Sequence, residues 1–193
     1  MSNPKIKITE TKLLSNNWYV LNKVTFDYQK NNGEQETHVR EVYDRGNGAG
    51  ILLYNSTKKT VVLTRQFRMP TYLNGNATGM MIEICAGLLD KDNPKECIIR
   101  ETEEETGYRL KNVDKVIETY MSPGSVTEIL YLFTGQYDES MKVSEGGGLE
   151  AENENIEVLE MTFDEAYNMI ETGEITDAKT ILLLQHAKIK GLV

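Results

Sequence analysis

Arg100-Glu101-Thr102-Glu103-Glu104-Glu105-Thr106-Gly107-Tyr108 is the stretch on which the fold turns. The residues before it mark a helix start. Asn93 is a good N-cap, Pro94 takes the first helical position where a missing N–H costs nothing, and Glu96 stands where a capping box needs it. Gly107 suits a left-handed stop. Start and stop agree on a helix over Pro94 to Thr106. That helix breaks a rule of stability. Its last two turns carry Glu101, Glu103, Glu104 and Glu105, where the macrodipole is negative and cations are preferred. Glu101 faces Glu105 at i,i+4 and Glu104 at i,i+3, each a conflict of about a few tenths of a kcal/mol. A divalent cation would relieve it. Glu101, Glu104 and Glu105 share one face and offer the hard oxygens that Mg²⁺ and Mn²⁺ favour. The plainer reading is a solvated acidic helix end.

Upstream of this helix the chain reads as strands. Trp18 to Tyr28 is rich in aromatic and β-branched residues, Asn31-Asn32-Gly33 is a hairpin signal, and Thr37 to Tyr43 is the return strand. Ala49 to Tyr54 and Thr60 to Phe67 are two more, turned by residues 55–59. Leu73 to Gly79 is a loop and Met80 to Cys85 a short strand. Downstream, Val113 to Met121 and Ile129 to Tyr137 are strands. Two closing helices start after Thr162, with Glu165 completing a capping box, and after Asp177. Strands first, one helix between and helices last predict an α+β fold with helices covering a mixed sheet.

Composition bounds the function. The 193 residues, 39% hydrophobic and 26% charged, suit one domain or a domain with a small appendage. The net charge of −9 repels a phosphate backbone, so nucleic acid is not expected as a partner, and an anionic ligand needs clustered Arg or a metal. Cys85 and Cys97 lie among apolar residues and read as buried thiols of a reducing compartment. No signal-peptide pattern opens the sequence and no stretch reaches the roughly twenty apolar residues of a membrane span, so a cytoplasmic protein without a membrane partner is expected. His38 and His186 form no His/Cys cluster, which argues against zinc.

Gly87, followed thirteen positions later by Arg100-Glu101-Thr102-Glu103-Glu104-Glu105-Thr106-Gly107-Tyr108, resembles the Nudix box, G-x5-E-x7-R-E-U-x-E-E-x-G-U with U bulky and apolar. The second half matches without gaps. The loop before the helix is one residue short, so the early Glu slot falls on Asp92 or Asn93, and Thr102 fills a slot that is usually aliphatic. Ser122-Pro123-Gly124, with Pro123 fifteen residues after Tyr108, resembles the branch that hydrolyses ADP-ribose and nucleotide sugars. Glu41 to Gly48, Arg65-Gln66-Phe67-Arg68, Cys85 to Asp90, Gly146-Gly147-Gly148 and Asp177-Ala178-Lys179-Thr180 are similar to the GDP-mannose pyrophosphatase members of that branch.

The resemblance implies an α/β/α sandwich around a mixed sheet. Residues 1–44 would form an N-terminal β subdomain exchanged in a homodimer, and residues 45–193 the hydrolase domain. It implies Mg²⁺- or Mn²⁺-dependent cleavage of a nucleoside diphosphate sugar. The metal would sit on the Ala86 carbonyl, Glu101 and Glu105, with Glu104 and Glu154 serving further metal contacts. Substrate would meet Ala86, Gly87, Leu88, Glu105 and Glu154, with Arg68 and Lys179 as cations. Trp18, Val39, Arg40, Glu41, Glu128 and Asn153 match further substrate-contacting positions, those near Arg40 reaching in from the partner subunit.

The residues carry plainer readings beside these. Arg65 and Arg68, near a strand end, can meet a phosphate bidentately or pair with surface carboxylates. Trp18 can stack on a base or fill an interface, and Lys179 can be a surface lysine. The loop from Asp138 to Asn155 joins Gly146-Gly147-Gly148, whose glycines give mobility, to Glu150, Glu152 and Glu154, which are proton acceptors. No Gly-Lys-Ser/Thr follows, so it is not a phosphate cradle. Counted back from Ile156, Glu154 matches the position that contacts metal and substrate in the family it resembles and is the expected base, with Glu152 its rival in a longer loop and Glu104 the remaining candidate. Three activities stay open: a GDP-mannose pyrophosphatase, an ADP-ribose or ADP-sugar pyrophosphatase, and a nucleotide-binding module that does not cleave.

Overall fold

The computed structural model describes residues 5–89, 93–149, 151 and 154–193. The chain divides into two compact units.

The first unit runs to Asn47 and takes in Tyr120–Ile129. Its strands β1 (Lys5–Asn16), β2 (Val20–Gln29) and β3 (Gln35–Asp44) form an antiparallel sheet in that order. The expected hairpin between β2 and β3 is present, with Gln29 opposite Gln35 across residues 30–34. β1 was not expected. Its residues alternate Lys, Thr and Glu with Ile6, Ile8 and Leu13, and nearly all stay exposed, so hydrophobicity alone gave little signal. The segment after Pro123 is stitched to β3. The Tyr43 N–H donates to Ser125 O at 2.8 Å, and the Thr127 N–H donates to Tyr43 O at 3.1 Å.

The second unit holds a sheet of β4 (Gly48–Asn55), β5 (Thr60–Phe67), β6 (Met80–Glu83), β7 (Cys85–Leu88), β8 (Asp114–Tyr120), β9 (Ile129–Gln136) and β10 (Glu157–Thr162). The order is β10-β5-β4-β9-β8, with β4 parallel to β9 and antiparallel to β5, so the sheet is mixed as predicted. Strand β10 fell in a stretch read only as flanking the acidic loop. β4 and β5 stay paired only from Leu53 to Asn55 against Val62 to Thr60. Beyond that they part. β6 then pairs with β5, and β7 pairs with β4. The stretch expected as one strand is therefore two, jointed at Ile84, whose N–H donates to Thr180 Oγ1 at 2.8 Å.

Helices are α1 (Met69–Leu73), α2 (Pro94–Thr106), α3 (Phe163–Glu171) and α4 (Ala178–Lys190). α2 has the bounds its caps predict. Asn93 accepts from the N–H groups of Lys95 and Glu96 at 2.9 and 3.0 Å, and Gly107 stops the helix at φ 78°. The Thr162–Glu165 capping box starts α3, and Asp177 caps α4. Pleat alternation sends Ala49, Ile51 and Leu53 of β4 into one cluster with Cys85, Ile98 of α2, Tyr108, Val113, Phe133 and Tyr137. Gly50 turns the other way, toward Ile84 and Leu132, and α4 also packs on β4. Burial on both faces explains why β4 is an unbroken apolar run. Among the described residues no helix is long and apolar enough to cross a membrane.

Candidate active site

Ridge residues of α2 decide which carboxylates enter the protein. Cys97, Ile98, Thr102, Glu105 and Thr106 are the buried ones. Thr102, in the slot expected to be aliphatic, fits because its hydroxyl donates back to Ile98 O at 2.6 Å. Glu105, one turn on, is carried inside with it and is 2% exposed. Its Oε2 accepts the Ala86 N–H of β7 at 3.2 Å, and the buried Cys85 thiol donates to it as well. Burial, reinforced by the nearby charges of Glu154 and Glu101, pushes this carboxyl up to about 8 against those two hydrogen bonds.

Glu101 lies half-buried a turn earlier. Burial raises its pKa, Glu104 and Glu154 add to the rise, and Arg100 opposes it at 3.2 Å. The Glu101 carboxylate lies against Gly87 so closely that a β-carbon there would stand 2.2 Å from Glu101 Cδ. That close approach accounts for a glycine at the strand end. Glu103 points elsewhere, in a two-bond pair with Arg109 at 2.6 and 2.7 Å. Arg100 also stands 3.9 Å from Glu104.

Gly146-Gly147-Gly148 has a job beyond the mobility its composition suggests. The Gly147 N–H donates to Glu105 O at 2.8 Å and the Gly148 N–H to Glu104 O at 3.1 Å. The loop therefore supplies donors to the carbonyls at the end of α2. The next N–H, of Leu149, donates to Glu154 Oε2 at 3.0 Å, and a β-carbon on Gly148 (φ 81°) would stand 2.5 Å from that oxygen. Glu154 is thus tied to the helix it faces.

Ala86, Gly87, Glu101, Glu105 and Glu154 come together, with Glu104 on the neighbouring helix position. Leu88 continues β7, and its carbonyl accepts from the Cys97 thiol at 3.3 Å. Among the described residues no three His, Cys, Asp or Glu side chains are drawn into a ready metal cage, and no cation pairs with Glu105 or Glu154. What the described residues present is a set of oxygen acceptors in which burial and mutual repulsion act together on Glu101 and Glu105. That donor chemistry fits a hard divalent cation. Asn93, at the early Glu slot, is the cap of α2. Asp92, Glu150, Glu152 and Asn153 lie outside the described residues.

Arg68 and Lys179 meet on one residue that sequence reasoning passed over. Glu83, the last residue of β6, accepts from Arg68 Nε at 2.7 Å and from Lys179 Nζ at 2.6 Å. The signal was available, since a lone acid in Met80-Met81-Ile82-Glu83-Ile84-Cys85 has to find a partner if that strand is buried. Glu83 and Ala86 are three residues apart, about 10 Å of extended chain. Arg65 instead pairs with Glu157 across β5 and β10 at 3.0 Å.

Trp18, Val39, Arg40, Glu41 and Glu128 belong to the first unit. Trp18 is 85% exposed and stands edge-on to Tyr19. Arg40 folds back to the Val39 carbonyl at 2.8 Å and lies 3.5 Å from His38 Nδ1. Glu41 is exposed opposite Lys23, and Glu128 lies 3.6 Å from Arg45.

Known proteins resemble this chain over nearly its whole length. A family model described as the GDP-mannose pyrophosphatase NudK N-terminal domain matches residues 5–43, and the NUDIX domain model matches residues 44–186. A GDP-mannose pyrophosphatase of Pectobacterium atrosepticum is 57% identical over 99% of this chain and 97% of its own length. Those of Yersinia enterocolitica and Salmonella typhimurium are 55% and 54% identical, over 98% and 97% of each chain. A crystal structure of an ADP compounds hydrolase superposes with a TM-score of 0.69 over 97% of this chain and 96% of the other, at 17% identity, and so shares the fold.

Proposed function

The chain belongs to the Nudix hydrolases, and on that premise we propose that it cleaves the pyrophosphate bond of GDP-mannose to GMP and mannose 1-phosphate, using Mg²⁺. One observation carries the choice of substrate. The likeness runs through residues 5–43, where the matching model is that of GDP-mannose pyrophosphatases, as well as through the general domain. Free, buried Cys85 and Cys97 suit a reducing cytoplasm.

In this reading Glu101, Glu105 and the Ala86 carbonyl hold the metal, with Glu104 and Glu154 beside it. When bound, the ion neutralises phosphate charge and makes water a better nucleophile. The other work falls to side chains. Arg68 and Lys179 bind and orient the diphosphate, a reading supported by their meeting on Glu83, three residues before Ala86 on the same stretch of chain. Glu154 takes the proton from the attacking water, because Glu101 and Glu105 are committed as ligands. Gly87 and Leu88 border the substrate. Trp18, Glu128 and Asn153 are further contacts to the nucleotide sugar, and Val39, Arg40 and Glu41 are contacts supplied by the partner subunit.

The active form is a homodimer that exchanges its N-terminal sheet. β1 is an edge strand whose Ile6, Ile8 and Leu13 are 59%, 63% and 55% exposed, an apolar display that a second copy would cover. Mixing Arg40→Ala with Glu105→Gln protein should then restore activity, since one hybrid site receives both intact contributions. An active monomer by sedimentation would refute the exchange.

The substrate is tested by incubating the protein with Mg²⁺ and GDP-mannose, ADP-ribose or an ADP-sugar and comparing kcat/KM. GDP-mannose should lead. Preference for ADP-ribose would overturn the base assignment, and binding without any product would favour the non-catalytic module.

A further inference from the structure

Glu83 is 5% exposed, and a carboxylate so buried persists only with partners. Its two oxygens divide the work, Oε2 on Arg68 and Oε1 on Lys179. The backbone around it is pinned on both sides. Thr64 Oγ1 donates to the Glu83 carbonyl at 3.2 Å, and the Ile84 N–H donates to Thr180 Oγ1. Lys179 is held a second time, by Asp177 Oδ1 at 2.9 Å, and Asp177 is itself fixed as the cap of α4. Each cation keeps donors in reserve. Arg68 is engaged through Nε, and among the described residues its Nη1 and Nη2 make no hydrogen bond. Lys179 has three N–H donors, of which two are taken.

We propose that Glu83 is a positioning residue, which sets Arg68 and Lys179 as a two-point clamp for the phosphates of the nucleotide sugar. The proposal rests on the hydrolase reading above. Long cationic side chains lose rotamer freedom when they bind an anion, and a partner that orders them beforehand removes that cost from binding. Holding an arginine by Nε leaves its terminal fork free for phosphate oxygens. The arrangement carries an electrostatic penalty, because a negative charge sits beside the groups that attract the substrate. Charge alone therefore predicts that neutralising Glu83 tightens binding. Positioning predicts the opposite.

Steady-state kinetics on GDP-mannose at saturating Mg²⁺ separates the two. Glu83→Gln should raise KM about tenfold or more while kcat stays within about threefold. Glu83→Asp keeps the charge but is too short to reach both cations, and should raise KM in the same direction. An unchanged or lowered KM in either variant overturns the clamp. Nitrogen NMR of the free wild-type protein gives a readout that needs no variant to fold. The Arg68 Nε–H should be slow to exchange before any ligand is added, and a rapidly exchanging, averaged signal would refute the hold. Wild type without turnover on any nucleotide sugar would mark failure of the hydrolase reading itself, and the clamp would fall with it.

Discussion

Glu83 and Glu105 are two glutamates at nearly the same depth, 5% and 2% exposed, with opposite surroundings. At Glu83, burial pushes the carboxyl up, but Lys179 and Arg68 outweigh it and hold the group below the usual range. At Glu105, burial acts with the charges of Glu154 and Glu101, and the carboxyl rises to about 8. One site is balanced by the protein's own cations. The other is not, and a buried anion without compensation is costly. The difference separates an acid whose charge the protein's own cations compensate from one whose charge, on the proposed reading, a divalent cation would compensate.

The sharpest way to break this comparison is Glu105→Gln. If Glu105 holds the metal as proposed, its loss should cut turnover by roughly two to four orders of magnitude, because a bound ion would contribute several kcal/mol of charge stabilisation. The metal-free variant should unfold at the same temperature as wild type or higher at pH 8, since a mutually repelling charge has gone. Near-normal activity at ordinary Mg²⁺ would remove Glu105 from the metal site. A lowered thermal midpoint would show that its charge is compensated after all.

Glu154→Gln should have the next largest effect, lowering kcat far more than it changes KM and altering the acid limb of the pH–rate profile. Glu152→Gln is the control and should stay active. The reverse outcome would transfer the base to Glu152. Activity in both would leave Glu104, or a base outside the side chains.

The smallest effect is on stability, and its sign differs between the two glutamates. Glu105 is raised from 4.5 to about 8, so its protonated form stabilises the fold fully below the ordinary carboxylate range, and that contribution is lost as pH climbs toward 8. Glu83 is lowered, so its contribution is present above the ordinary range and is lost as pH falls below it. The metal-free thermal midpoint should therefore decline from about pH 5 to about pH 8. Glu105→Gln should flatten that decline, and Mg²⁺ should offset it at pH 8 in wild type only. A midpoint that rises over this range without metal would contradict the raised Glu105.

Much of the frame was legible because its signals are local. Asn93, Pro94 and Gly107 bound α2, Thr162 and Glu165 start α3, and Asn31-Asn32-Gly33 turns the hairpin, all through bonds and dihedrals within a few residues. β1 was missed because its apolar side chains face outward, so their alternation does not reflect a core. The single strand expected from Met80 to Cys85 became two because the break at Ile84 depends on Thr180, far along the chain. The Gly146–Gly148 triplet reads from composition as a source of mobility, and composition does not reveal that the Gly147 and Gly148 N–H groups donate to α2 carbonyls.

The sequence by itself determined the helix and its acidic end, since spacing along one helix dictates which carboxylates share a face. Only the tertiary structure decided what each charge does. It buried Glu105 beside Cys85 and Ala86, brought Glu154 back to it from the loop, and set Glu83 between Arg68 and Lys179, partners 15 and 96 residues away. The reason is physical. The energy of a carboxylate depends on its depth and on the charges within a few ångströms, and chain separation does not encode either.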